Sequence, residues 1–238
     1  MHDLTEIGSS PLRCLWLTRM YPVPPDAGDL TYSFQLLSSL SRAGVRLTVL
    51  TMGRTHDRAG SANDNGIEWI VVPWESDREI GGRLAMRSLF SRLPNVATQY
   101  NVASFRRALR KQMARDWDAI VVDHLGMGWA WPVVEAYRRL KAGVVLVFIA
   151  HQCEGEVRQS VARNFRGNIV RKIGLSVDAA KADRLENKLV RKSNLVSAIT
   201  AEDLRCFGGL DKIVLMTPAT RAGMSPAAKS TTPRHAER

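Results

Sequence analysis

Short apolar runs alternate with helical apolar stripes along most of this chain. Cys14-Leu15-Trp16-Leu17 opens the pattern, inside a strand predicted at 13–18. A helix is predicted at 30–43, with Leu30, Phe34, Leu37 and Leu40 on one face and Gly44 as its stop. Residues 45–51 and 67–72 read as the second and third strands, separated by a polar, glycine-containing surface loop at 53–66. Two basic helices follow at 79–93 and 101–115, broken by Pro94. Strands at 119–122 and 144–150 flank a helix at 129–141 that carries Pro132 in its first turn. Helical stretches at 153–164 and 168–192 are split near Gly167. A sixth strand at 194–199, a short helix at 201–207 capped by Thr200, and a last strand at 212–216 complete the pattern.

Strands alternating with helices at this spacing predict an α/β fold. It is expected to be a single Rossmann-like domain, with a mainly parallel, doubly wound sheet and helices on both faces. The run at 144–150 is apolar throughout, as a strand buried on both faces requires. Residues 1–10 are expected to be a flexible tail, 11–218 the domain, and 219–238 a disordered tail dominated by Ala, Ser, Thr and Pro.

Composition narrows the picture. The chain has 238 residues, 45% hydrophobic and 24% charged, enough for one sizeable core. Its three cysteines, Cys14, Cys153 and Cys206, are far apart and form no CxxC. Neither a disulfide framework nor a zinc site is expected from them, and a reducing cytoplasm fits. The first ten residues lack a secretory pattern, and the longest apolar run, 142–150, falls well short of the roughly 20 residues a span needs. The net charge of +11 suggests an anionic partner or a solvated basic surface. The basic stripe at 83–115 and the run Arg163, Arg166, Arg171, Lys172 carry both readings: a solvated face, or peripheral contact with an anionic membrane at its inner face. Nucleic-acid binding is not expected, because no aromatic platform alternates with these cations.

The chain has no GxGxxG after the first strand, no GxxxxGK[ST], no GxSxG and no HExxH. Candidate chemistry therefore rests on the residues just after the strands, where such a sheet receives its ligand. The first strand leads through Pro22, Pro24 and Pro25 to Gly28, which is expected to allow positive φ or a close backbone approach. Asp29 or Thr31 can cap the helix that follows. His151, directly after the buried strand, can bond a sugar hydroxyl, accept a proton, or only cap local backbone groups. Asp123-His124 forms a second such pair, alternatively a loop aspartate capping the next helix. Glu154 stands near His151, and Cys153 reads as a small buried hydrophobe.

Four stretches resemble, in order, segments of family 4 glycosyltransferases of the GT-B fold. They are LWLTRMYPVPPDAGDLTYSFQLLSSLSRAGVRLTVLTM, VVLVFIAHQCEGE, ADRLENKLVRKSNLVSAITAEDL and KIVLMTP, spanning roughly residues 12–218. The resemblance is to the N-terminal, acceptor-side domain of that family. It implies a nucleotide-sugar donor as substrate, a sugar or lipid-linked acceptor, transfer with retention, and no metal or other cofactor. It places Gly28 in the loop near the donor phosphates, with Asp29 standing where the family often has a second glycine. It places His151 against the transferred sugar, where it would stabilise an oxocarbenium-like transition state, with Asp123, His124 and Glu154 nearby. The family's donor-binding domain would begin after about Pro218. On that length the chain is expected to need a separate donor-domain chain and to transfer little sugar alone. A truncated non-catalytic remnant, or an isolated binding module, is the alternative. A nucleotide-dependent epimerase or reductase would share the fold but require the missing glycine fingerprint.

Overall fold

The alternation in the sequence closes into one parallel sheet. A computed structural model describes residues 10–21, 28–53, 66–73, 88, 90–208 and 210–217. The strands are β1 (Arg13–Leu17), β2 (Arg46–Gly53), β3 (Ile67–Pro73), β4 (Ala119–Asp123), β5 (Val145–Ile149), β6 (Leu195–Ala198) and β7 (Ile213–Leu215). Their order is β3-β2-β1-β4-β5-β6-β7, and every pairing is parallel. Each lies within two residues of its predicted place. The result is the expected α/β, Rossmann-like single domain.

The helices are α1 (Gly28–Arg42), α2 (Asn95–Thr98), α3 (Ala103–Gln112), α4 (Trp131–Leu140), α5 (Glu154–Asn164), α6 (Ile169–Lys192) and α7 (Ala201–Cys206). A 3-10 helix, Leu125–Ala130, leads directly into α4, so the helix predicted at 129–141 begins as a tighter turn. Gly44 ends α1 at φ 84°, a conformation in which a Cβ would clash with the backbone. The prediction of a cap at Asp29 or Thr31 is corrected: α1 starts at Gly28, so both lie inside its first turn. The proline loop, most of the helix predicted at 79–93, the interior of the loop at 53–66 and nearly all of both predicted tails fall outside the described residues.

Side chains along β1 alternate between two cores. Leu15 and Leu17 join one cluster with Ile120, Phe148 and Trp131. Cys14 and Trp16 join the other with Leu37, Val49 and Val121. This period of two, with both faces covered, is why the central strands carry almost no polar residue. Burial also pushes the Cys14 thiol pKa up to about 12, so that thiol is inert. β1 has β2 on one side and β4 on the other, so strand order reverses between β1 and β4. The crevice of such a sheet opens there, beyond the strands' C-terminal ends.

Candidate functional site

A cavity of about 510 Å³ lies at that reversal point, lined by Arg19, Gly28, Tyr32, His124, His151, Gln152, Glu154 and Ile199. These residues come from the segments following β1, β4, β5 and β6 and from the start of α1. Four sequence candidates, Gly28, His124, His151 and Glu154, therefore line one cavity, and a fifth, Asp123, lies directly beneath.

Asp123 ends β4 and is completely buried. His151 Nε2 donates to its Oδ1 at 2.6 Å, and Trp16 Nε1 donates to its Oδ2 at 2.9 Å. Burial pushes the Asp123 carboxyl up. The adjacent His151 and the hydrogen bonds from His151, Trp16 and Ser33 outweigh that and hold it below the usual carboxylate range. Asp123 is thus an anchor for a ring, and no helix cap. With Nε2 committed, the other ring nitrogen of His151, Nδ1, is buried and has no hydrogen-bond partner. Tyr32 meets the same ring edge-on, with centroids 5.6 Å apart. Its hydroxyl donates to the Met216 carbonyl and bonds Ser197 Oγ, tying α1 to β6 and the segment after β7.

A second histidine pair stands beside the first, with ring centroids 5.5 Å apart. His124 has φ 76°, the positive-φ non-glycine residue of the described chain. Its Nδ1 accepts the Gly126 N–H at 2.9 Å, and its Nε2 faces Glu154 Oε1 at 3.4 Å. It is therefore His124 that caps the 3-10 helix. Burial, opposed by the Glu154 hydrogen bond and assisted by the Arg19 charge, holds His124 below the usual histidine range, in its neutral form. Burial would raise Glu154, but the His124 N–H, the Arg158 guanidinium and Gln152 bring its pKa down to about 2. Arg158 bridges Glu154 and Asp178 at 2.9 Å each, and Asp178 accepts the Asn95 N–H.

The loop carrying His151 and Glu154 is fixed from two other helices. Glu186 of α6 accepts the N–H groups of Glu154 and Gly155, both at 2.9 Å, so it caps α5 from outside the helix. Asp203 of α7 accepts the Cys153 N–H at 3.0 Å and completes a capping box with Thr200. Burial, and secondarily the charges of Glu154 and Asp183, raise Glu186 to about 7 against the two N–H bonds. Cys153 is joined to Cys206 by a disulfide, which corrects the expectation that the cysteines stand apart and that Cys153 is only a small hydrophobe. Fifty-three positions separate them, and the fold brings the β5–α5 loop against the end of α7. Glu156 lies within 4.8 Å of both sulfurs, but the disulfide leaves no thiolate to join it as a metal ligand.

Gly28 lines the cavity as the first residue of α1, without positive φ and with open space where a Cβ would stand. The expected positive φ is thereby corrected; what the glycine leaves is room. The Asp29 side chain lies outside the described residues. Trp16, Tyr32, Arg158 and Glu186 were missed as site residues. Trp16 and Tyr32 look like core, and Arg158 and Glu186 like helix surface, until the tertiary fold turns them to the loop. No local signal singles Glu186 out, since Asp178 shares the same buried face of α6.

No helix among the described residues is long and apolar enough to cross a membrane. No family model matches the chain, and no curated protein matches it.

Proposed function

We propose that this domain is the acceptor-side half of a retaining glycosyltransferase that uses a nucleotide-sugar donor. The observation that carries the reading is His151: a ring pinned by a buried carboxylate, lining a polar cavity, with one buried nitrogen still unbonded. A group in that state satisfies its hydrogen-bonding capacity by taking a ligand hydroxyl. Asp123 sets the tautomer: in the neutral ring the proton sits on Nε2, so Nδ1 accepts from the ligand. When positive charge develops on the transferred sugar, the buried Asp123 carboxylate stabilises it through that ring.

The part of the cavity lined by α1 suits a phosphate. The N-terminal turn of α1 begins at Gly28, and its N–H groups form the positive end of the helix dipole. Arg19 adds a cation to the lining of the same cavity, close enough to His124 for its charge to act there. His124 is neutral and hydrogen-bonded on both nitrogens, so it positions Glu154 and Gly126 and does not act as a base.

Ligand-detected NMR with a panel of nucleotide sugars, free sugars and NAD(P) tests the reading on the intact chain. Saturation transfer to a nucleotide sugar, lost in His151→Ala, is expected. Absence of transfer to every nucleotide sugar by the folded wild type overturns it, and selective binding of NAD(P) does so in favour of an epimerase or reductase. Turnover of a bound donor by the chain alone then separates a complete enzyme from a binding half.

A further inference from the structure

The hairpin of α5 and α6 reaches beyond the sheet. Gly155 packs against Asp183, Arg158 bonds Asp178, and Glu186 caps Glu154 and Gly155, so the two helices run antiparallel. Glu186 thus marks the level of the strand ends on α6. The part of α6 before it, and all of α5, extend from that level for roughly 16–25 Å at 1.5 Å per residue, with α6 bonded to the 88–95 segment at Asp178 and Lys181 and the hairpin tip beyond those bonds.

That hairpin has an unusual surface. Ile169, Val170 and Ile173 at the start of α6 are 67%, 73% and 58% exposed, and Val157 and Val161 on α5 are exposed as well. Residues 157–177 contain five cations, Arg158, Arg163, Arg166, Arg171 and Lys172, and no acidic residue. Arg158 is consumed by Glu154 and Asp178, whereas no ion pair to the other four is present among the described residues. Arg171 lies over the Phe165 ring at 5.3 Å, holding an aromatic residue at the tip.

We infer that the α5–α6 tip docks on an anionic bilayer surface, with its aliphatic side chains entering the headgroup boundary and its cations holding the phosphates. Exposed aliphatic residues interleaved with cations have this complementarity, and each basic side chain near an anionic surface strengthens binding several-fold. A second copy of the chain is a poor occupant, since two such tips would repel. Nucleic acid is a poor one too, because the exposed groups are aliphatic and the aromatic at the tip, half-buried Phe165, is already covered by Arg171, leaving bases little to stack on. The basic stripe read from the sequence at 83–115 fits less well. In its described part, residues 88 and 90–115, Phe90 is the large apolar side chain left exposed, while on α3 Arg106 is bonded to Asn101 and Phe105 and Leu109 face inward. The inference deepens the sugar-transfer reading, on which it rests only for the suggestion that the acceptor is lipid-linked.

Vesicle co-sedimentation of the full chain tests it, using phosphatidylcholine with and without 30 mol% phosphatidylglycerol at low and physiological salt. Wild type is expected to bind only the anionic vesicles. Arg171→Glu with Lys172→Glu should reduce partitioning at least tenfold. Ile169→Ser with Ile173→Ser should reduce it most at physiological salt, where the charge attraction is screened. Arg107→Glu with Arg110→Glu on α3 is the control and should leave binding unchanged. Wild type remaining in the supernatant overturns the inference, as does binding lost through the α3 variant but not the tip variants. A tip variant that instead dissolves a wild-type dimer in gel filtration assigns the surface to self-association and also overturns it. None of the tip residues lines the cavity, so nucleotide-sugar binding without vesicles reports on the sugar-transfer reading separately.

Discussion

His151 donates its Nε2 proton to Asp123 at 2.6 Å, across the gap between the ends of β5 and β4. The neutral ring therefore keeps Nδ1 bare. Asp123→Asn preserves shape but presents an amide N–H₂ or carbonyl to a ring that needs a charge partner. Nitrogen-15 chemical shifts of the neutral ring should show the wild type protonated on Nε2 and the variant in mixed tautomers. Nucleotide-sugar affinity should fall about tenfold, since the bare acceptor is then only partly populated. Stability should fall by about 1–3 kcal/mol in urea melts, the cost of disturbing buried hydrogen bonds. An unchanged tautomer with unchanged affinity would sink the assignment of Asp123 as the positioning residue.

Gly28 separates folding from ligand binding. Its Cβ would enter open space and its φ is not positive. Gly28→Ala should leave the melting temperature unchanged or raise stability by up to about 1 kcal/mol through a stiffer unfolded chain. The same methyl stands at the cavity wall and should weaken nucleotide-sugar binding, with Gly28→Leu weakening it further. Isothermal titration of both variants checks this. Undiminished affinity in the leucine variant would show that the ligand does not approach α1.

The sheet was legible because each strand has a local signature. Residues 144–150 are apolar throughout, Gly44 stops a helix, and Thr200 with Asp203 spells a cap. The site was legible only where its residues follow strands, as Asp123, His124, His151 and Glu154 do. Glu186 was not, because it acts on α5 from 31 positions away, a pairing only the packed hairpin creates. The Cys153–Cys206 bond was hidden for the same reason: loop closure over that distance leaves no spacing pattern. Gly28 shows the opposite case: of the two expectations for a glycine after prolines, positive φ does not hold, and the residue leaves open space at the cavity instead.

The disulfide makes a direct chemical prediction. Of the three cysteines, thiol titration in denaturant without reductant should count one, Cys14, and after reduction all three. Three thiols before reduction would remove the bond from the native state. Closing a loop across a separation of 53 residues removes unfolded-state entropy equivalent to about 4 kcal/mol in the chain-entropy description, and measured effects are often smaller. The Cys153→Ser, Cys206→Ser double variant should therefore lower the urea midpoint, by about 2–4 kcal/mol of stability. Because Cys153 precedes the α5 cap, amide exchange should accelerate first at Glu154 and Gly155.

Glu186 gives the fold a pH dependence near neutrality. Its carboxyl is raised from 4.5 to about 7 in the folded chain, chiefly by burial. Between those values the native state holds a proton that the unfolded chain has released, so unfolding releases a proton and stability falls as pH rises. The contribution is fully present below about pH 4.5 and is lost by about pH 7, a change of about 3 kcal/mol at most. Urea melts from pH 5 to 7.5 should therefore show declining stability in the wild type and a flatter profile in Glu186→Gln. The glutamine keeps one carbonyl acceptor for the two N–H groups of α5, so the variant should be less stable than wild type at pH 5, where the carboxyl is largely protonated, and should close the gap as pH rises. Parallel profiles for the two proteins would show that Glu186 stays ionised across the range, held by the Glu154 and Gly155 N–H groups against its burial.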